Sequence, residues 1–255
     1  MKRTMEFAKR NLIELSRDVL SYIFCVAFPI VMLIVMSVVN ESIPPQAGMT
    51  TFRIDNLSAG IIIFGHAFVM LFTAILVSTD KSTSFLMRLY SSPMKSSDFT
   101  NGYIIPMLLI ALLQALSTIV ASVVIAGISG YELKLPGLLL MLLTSLPSAL
   151  MFISIGMIFG TLFNEKAAPG MCSVIISVGS FLGGIFFDAE GVGGVIYRIC
   201  RCLPFIYCTK LSRSSVKLEF GKESFILPLV VVSAVAVVLM FLATSVFKSR
   251  MNADR

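Results

Sequence analysis

The chain has 255 residues, of which 57% are hydrophobic and 13% charged, with no Trp, a formal charge of +6 and a mean hydropathy of +0.94. So few charges cannot cover a soluble domain of this size, which excludes a water-soluble globular protein and points to a polytopic membrane protein. The basic residues sit in loops and tails, where the positive-inside rule accounts for them, so the net charge is not a nucleic-acid signal.

Residues 1–18 place Met5, Ala8, Leu12 and Leu15 at a spacing that continues into Val19, one apolar stripe on a charged helix that lies along the membrane face. Spans are predicted at 19–39, 57–79, 103–130, 137–163, 167–187 and 225–247, each long enough for a hydrocarbon core of about 30 Å. The first runs its full length with no small-residue cleavage site, so it reads as a retained span rather than a signal peptide. With the N-terminus inside, the inner segments hold 12 Lys and Arg and the outer segments 8, which puts both termini in the cytoplasm. Six of the eight outer cations lie in 188–224, where Val192–Ile199 and Leu203–Tyr207 are too short to span and read as a re-entrant hairpin. A seventh span there is the alternative. The fold class is therefore all-α and polytopic, a single domain over 1–255 with six transmembrane helices, an amphipathic N-terminal helix and an outer hairpin.

Among Asp, Glu, Lys, Arg and His, the six spans contain His66 alone. A gradient-driven transporter keeps carboxylates or cations at membrane depth as ion carriers, and an intramembrane enzyme needs a nucleophile with a base or a metal cluster there. Both classes are disfavoured; a non-transporting scaffold or immunity protein is not addressed by this pattern. His66 has neutral neighbours in sequence, and reads either as an imidazole hydrogen-bonded to another helix or as a cavity residue.

No phosphate loop is present: Gly221-Lys222-Glu223 lacks the earlier glycine and the hydroxyl residue. Energy would then come from an external ATPase docked on the cytoplasmic segment 80–102. On a short helix from Thr83 to Tyr90, Phe85, Leu86 and Leu89 share a face, Arg88 lies off it, and Ser92-Pro93 ends it. An interfacial turn between spans is the plainer alternative.

Gly156-x-x-x-Gly160 and Gly179-x-x-x-Gly183 allow close helix approach, within or between subunits. Pro29 and Pro147 sit inside spans and are expected to kink them. Of five cysteines, Cys200, Cys202 and Cys208 fall in the outer hairpin; a metal site would need a fourth ligand and no His is near, so partly buried thiols are expected, with an external disulfide as the alternative.

Several strings in order resemble one family. They are Arg10–Asp18 leading to Phe28-Pro29, Asp80 after the second span, Arg88-Leu89-Tyr90-Ser91-Ser92-Pro93, Gly102-Tyr103, Leu182–Asp188, Leu203-Pro204 and Lys210-Leu211-Ser212-Arg213. Together they resemble the membrane subunit of type-2 ABC exporters over nearly the whole chain. Asp188 stands where many members have Pro, and the hairpin cysteines are not a family feature.

The resemblance implies a permease of a cytoplasmic membrane, most simply a bacterial one, that pairs with a second copy or a related permease and with two ATPase subunits. ATP and Mg would be held by those subunits, and this chain would carry no catalytic residue, metal or cofactor. It implies ATPase coupling through Asp80, Phe85, Leu86, Arg88, Leu89 and Pro93. A substrate path would be lined by Phe64, His66 and Met70 of the second span and Ser173, Ser177 and Phe181 of the fifth. The outer gate or hairpin would involve Gly183, Gly184, Phe187, Leu203 and Pro204. Aromatic, Met and hydroxyl linings suit an amphipathic or hydrophobic cargo such as a drug, antibiotic, peptide or lipid-like molecule.

Overall fold

The computed structural model describes residues 2–44, 50–83, 85 and 95–253, and among them every regular element is helical. Helix α1 (Lys2–Arg17) stops because Asp18 takes an extended conformation and accepts the amide of Leu20 at 3.1 Å, capping the next helix. Helix α2 (Val19–Ser42) loosens into a π turn at Ile23–Ala27, directly before Pro29. A proline lacks its amide and crowds the carbonyl four residues back, and the wide turn relieves both.

Helix α3 (Ile54–Ser82) is the centre of the molecule and is buried along almost its whole length. An apolar helix without a polar stripe belongs inside a bundle, and the others wrap it. They are α4 (Ser96–Ile128), α5 (Leu135–Leu162), α6 (Ala167–Leu182), α7 (Ala189–Val192), α8 (Gly194–Cys202), α9 (Pro204–Lys217) and α10 (Leu227–Ala253), the last entered through a π turn at Lys222–Ile226. Phe24 and Phe28 of α2 meet Phe64, Phe68 and Phe72 of α3 at centroid distances of 5.3–6.2 Å, an aromatic seam between the two. Helix α5 remains helical through Pro147.

Among the described residues, five helices are long and apolar enough to cross a membrane: α2, α3, α4, α5 and the α10 segment. Helix α6 has 16 residues, about 24 Å at 1.5 Å per residue, and ends at Leu182 rather than at Phe187. Gly183-Gly184 stops it: Gly184 has φ +68°, which only glycine adopts without strain. The helix at the predicted second arm, Leu203–Tyr207, is longer than the sequence suggests. It is α9, which runs to Lys217 and packs on α3, α5 and α10. Its first turn stacks Phe205 on Phe152 at 5.7 Å, while its far end joins Ser215 to Thr144 at 2.7 Å. The start of α9 therefore lies level with Phe152, past the midpoint of α5.

The Gly156/Gly160 pair serves packing within the chain. A methyl group at Gly156 would stand 2.3 Å from the Met70 carbonyl oxygen and one at Gly160 2.6 Å from that of Ala74, so α5 lies directly on the backbone of α3. Gly179 faces Phe205 of α9. We expect Gly156→Ala to lower the thermal midpoint in detergent, at a cost of about 1–3 kcal/mol, because the overlap is with a backbone atom that cannot rotate away; an unchanged midpoint would refute the close approach.

Candidate coupling site at the end of helix α3

The last turns of α3 carry Asp80, a carboxylate only 2% exposed although the helix around it is apolar. A buried charge must be paired and hydrogen-bonded, and two elements supply the partners. Arg10 of α1 donates from Nη1 to Oδ2 at 2.8 Å, and Tyr103 of α4 donates its hydroxyl to the same oxygen at 2.7 Å. The guanidinium reaches Glu14 at 2.7 Å and Asn11 Oδ1 at 2.8 Å, and lies over the Phe85 ring at 4.2 Å. Asn11 in turn donates to the Gly102 carbonyl at 3.1 Å. Burial would lower the Arg10 pKa, but the hydrogen bond and charge of Asp80 outweigh it and hold the group above its usual value.

An apolar layer backs this network. Phe7 sits edge-on to Tyr103 and Phe99 at 5.0 and 5.7 Å and stacks on Phe85 at 6.4 Å, while Phe247 of α10 closes the far side at 5.7 Å from Phe99. The buried face of α1 is thus Phe7, Ala8, Asn11 and Leu15, whereas Met5 and Leu12 of the predicted stripe lie on its exposed side. The helix has two apolar faces, and sequence periodicity does not tell which meets protein and which meets lipid. The neighbouring Lys81 donates to the carbonyls of Thr161 and Phe163, both at 2.9 Å, satisfying the open end of α5, and Ser82 donates to Glu165 at 3.0 Å. One turn of α3 therefore ties α1, α4 and the α5–α6 connection together.

Of the predicted coupling residues, Asp80 and Phe85 are in this cluster; Leu86, Arg88, Leu89 and Pro93 lie outside the described residues. The predicted path residues are not brought together within one chain. Phe64, His66 and Met70 are buried in the bundle, with His66 Nδ1 3.3 Å from Ser148 Oγ of α5. Ser173, Ser177 and Phe181 lie on the exposed face of α6, Phe181 at 63%. At the other end Gly183 and Gly184 are buried, Phe187, Leu203 and Pro204 are half-buried, and Arg213 donates to the Gly184 carbonyl at 2.9 Å. All five cysteines are free, Cys202 exposed and the rest buried. No group of three or more metal-ligating side chains occurs among the described residues.

Sequence reasoning missed Arg10 as the partner of Asp80, and Phe7, Phe99 and Phe247 as its cover. A lone carboxylate at the end of an apolar helix demands a cation, but three basic segments on the same side could have provided it.

Two outcomes follow from the unequal burial of the pair. Arg10→Leu strands the Asp80 carboxylate and is expected to cost about 1–3 kcal/mol, a range reduced because Arg10 is 36% exposed, whereas Asp80→Asn keeps an acceptor for Tyr103 and costs less. Thermal melting in detergent compares them, and equal losses would remove Asp80 from the centre of the network. Glu14 titrates above its ordinary 4.5 because burial outweighs the pull of Arg10. The folded state then binds its proton more tightly than the unfolded chain, so this contribution is present below about pH 4.5 and lost as pH rises through the raised value. Glu14→Gln should accordingly flatten the fall in melting temperature between about pH 4.5 and 7, and a steeper fall would reverse the sign.

No curated protein matches the chain significantly. The model of the ABC-2 type transporter family matches residues 3–217. That stretch runs from the first turns of α1 through the end of α9 and takes in both partners of the Arg10–Asp80 pair, so the chain belongs to the ABC-2 type transporter family.

Proposed function

We propose that the chain is the permease half of an ATP-driven exporter that moves an amphipathic or hydrophobic molecule outward, with a second permease copy or relative beside it and two ATPase subunits below. The observation that carries this reading is the Asp80 cluster. At one end of the bundle, a single turn of α3 is joined by charge to α1 and by hydrogen bond to α4, and the Arg10 guanidinium that pairs with it lies over Phe85. A push on Phe85 would be felt by α3, which touches most of the other helices. Membership of the family implies ATPase partners; their number, the pairing of permeases, the cargo and the direction are our proposal.

In this reading both termini are cytoplasmic, and α6 completes a sixth crossing with the unwound residues 183–187. The α8–α9 hairpin is re-entrant from outside, in keeping with a start of α9 level with Phe152. The exposed face of α6, with Ser173, Ser177 and Phe181, lines the cargo path against the second permease. Phe64, His66 and Met70 stand behind it and join the path when α6 and α3 part. Cargo with apolar bulk and a few polar groups matches such a surface.

Phe85→Asp places a charge where the guanidinium and Phe7 now meet an aromatic ring. Co-purification with a partner ATPase subunit should be lost, and cargo-stimulated ATP hydrolysis with it. Retained association together with full transport would overturn the assignment.

A further inference from the structure

At the end of the bundle opposite Asp80, a cavity of about 390 Å³ opens between the start of α3, the 183–188 turn and α9. This volume is that of a small-ligand pocket. Lys210, Arg213 and Lys217 all line it, spaced three and four residues apart so that they share one face of α9. Asp188 and Glu219 stand on the remaining wall. Arg213 is held in place by the carbonyls of Gly184 at 2.9 Å and Asn56 at 3.3 Å, so this part of the wall is rigid.

Asn56 gives an independent indication of a ligand. It lines the cavity, is 5% exposed, and donates its Nδ2 to the Thr50 carbonyl at 2.8 Å. That bond fixes the amide, because the reversed orientation would set Oδ1 against the carbonyl. Asn56 Oδ1 is then a buried acceptor without a partner among the described residues. Buried polar atoms are nearly always satisfied, so the atom marks a place for a donor.

We propose that this cavity binds a phosphate-bearing head group that also carries a hydroxyl or ammonium donor, as phosphoethanolamine and glycerol phosphate esters do. Lys210 and Lys217 take the phosphate through charge-assisted bonds, with the carbonyl-anchored Arg213 adding a fixed positive charge beside it. Asn56 Oδ1 and the two carboxylates take the donor. A wall of both charge signs suits neither an apolar molecule nor a simple anion. Under the orientation proposed above the cavity opens to the outer leaflet, but binding itself depends neither on that orientation nor on transport.

The test uses the purified full-length chain in a neutral detergent, without ATP or ATPase, and native mass spectrometry of bound lipid. Phosphatidylethanolamine and phosphatidylglycerol should be retained about tenfold more tightly than phosphatidylcholine, whose head group has phosphate but no donor. Lys210→Gln with Lys217→Gln should weaken both about tenfold, and Asn56→Leu should bring them down to phosphatidylcholine. Lys210 and Lys217 are half-buried, and a circular-dichroism melt confirms that the variants fold. Arg198→Gln, on α8 and outside the cavity, should change nothing. Competition by soluble phosphoethanolamine would show that the head group suffices and that a soluble ester can be the ligand. Lipid binding without such competition would make a lipid the source. Unchanged affinity in the double lysine variant, equal weakening by Arg198→Gln, or equal retention of phosphatidylcholine would overturn the proposal. None of these outcomes bears on the Phe85→Asp result, so the two readings fail separately.

Discussion

A carboxylate buried at the end of the central helix is the constraint on which the architecture of that end of the bundle depends. Asp80 cannot remain charged inside an apolar bundle unless a cation and a hydrogen-bond donor meet it there, and Arg10 and Tyr103 are recruited from helices far away in sequence. That requirement fixes where α1 lies, because Arg10 and Phe7 are separated by about one turn and must engage together. It also explains why α1 stays on the bundle although its charges would be content in water.

Helix α3 transmits whatever happens at that end. It is buried on all sides and packs backbone to backbone on α5 through Gly156 and Gly160, so it has little room to bend on its own. Its far end meets Arg213 through the Asn56 carbonyl, and the same arginine holds the turn after α6. The Asp80 end is therefore connected through α3 to the turn at 183–185 and the cavity beside it.

Much of this was legible in the chain. The apolar runs located the long helices, and the Gly156/Gly160 pair announced a close contact. Pro29 announced a local distortion, though not that it would be a π turn. Val192–Ile199 and Leu203–Tyr207 were read as two short apolar pieces; the helix at the second, α9, runs on to Lys217, because it is held by Thr144, Phe152 and Ser214 hydrogen bonds and rings rather than by an apolar run of its own. The apolar face of α1 was misjudged for a related reason: in a membrane protein both the lipid side and the protein side are apolar, so hydrophobicity has no inward direction.

What the sequence by itself determined is everything that rests on local chemistry and length. This includes helices where apolar residues run on, breaks where Gly or Pro demand them, the resemblance carried by short strings in order, and the confinement of carboxylates to the ends of the apolar helices, as at Asp55 and Asp80 of α3. Only the tertiary structure decided which distant groups meet. Arg10 rather than another basic residue neutralises Asp80, His66 is paired with Ser148 inside the bundle rather than facing the surface of α6, and three cations of α9 share a cavity with a lone acceptor on α3. The physical reason is that charge pairing and cavity formation depend on the rotation of each helix about its axis, and in a chain this uniformly apolar that rotation is set by packing.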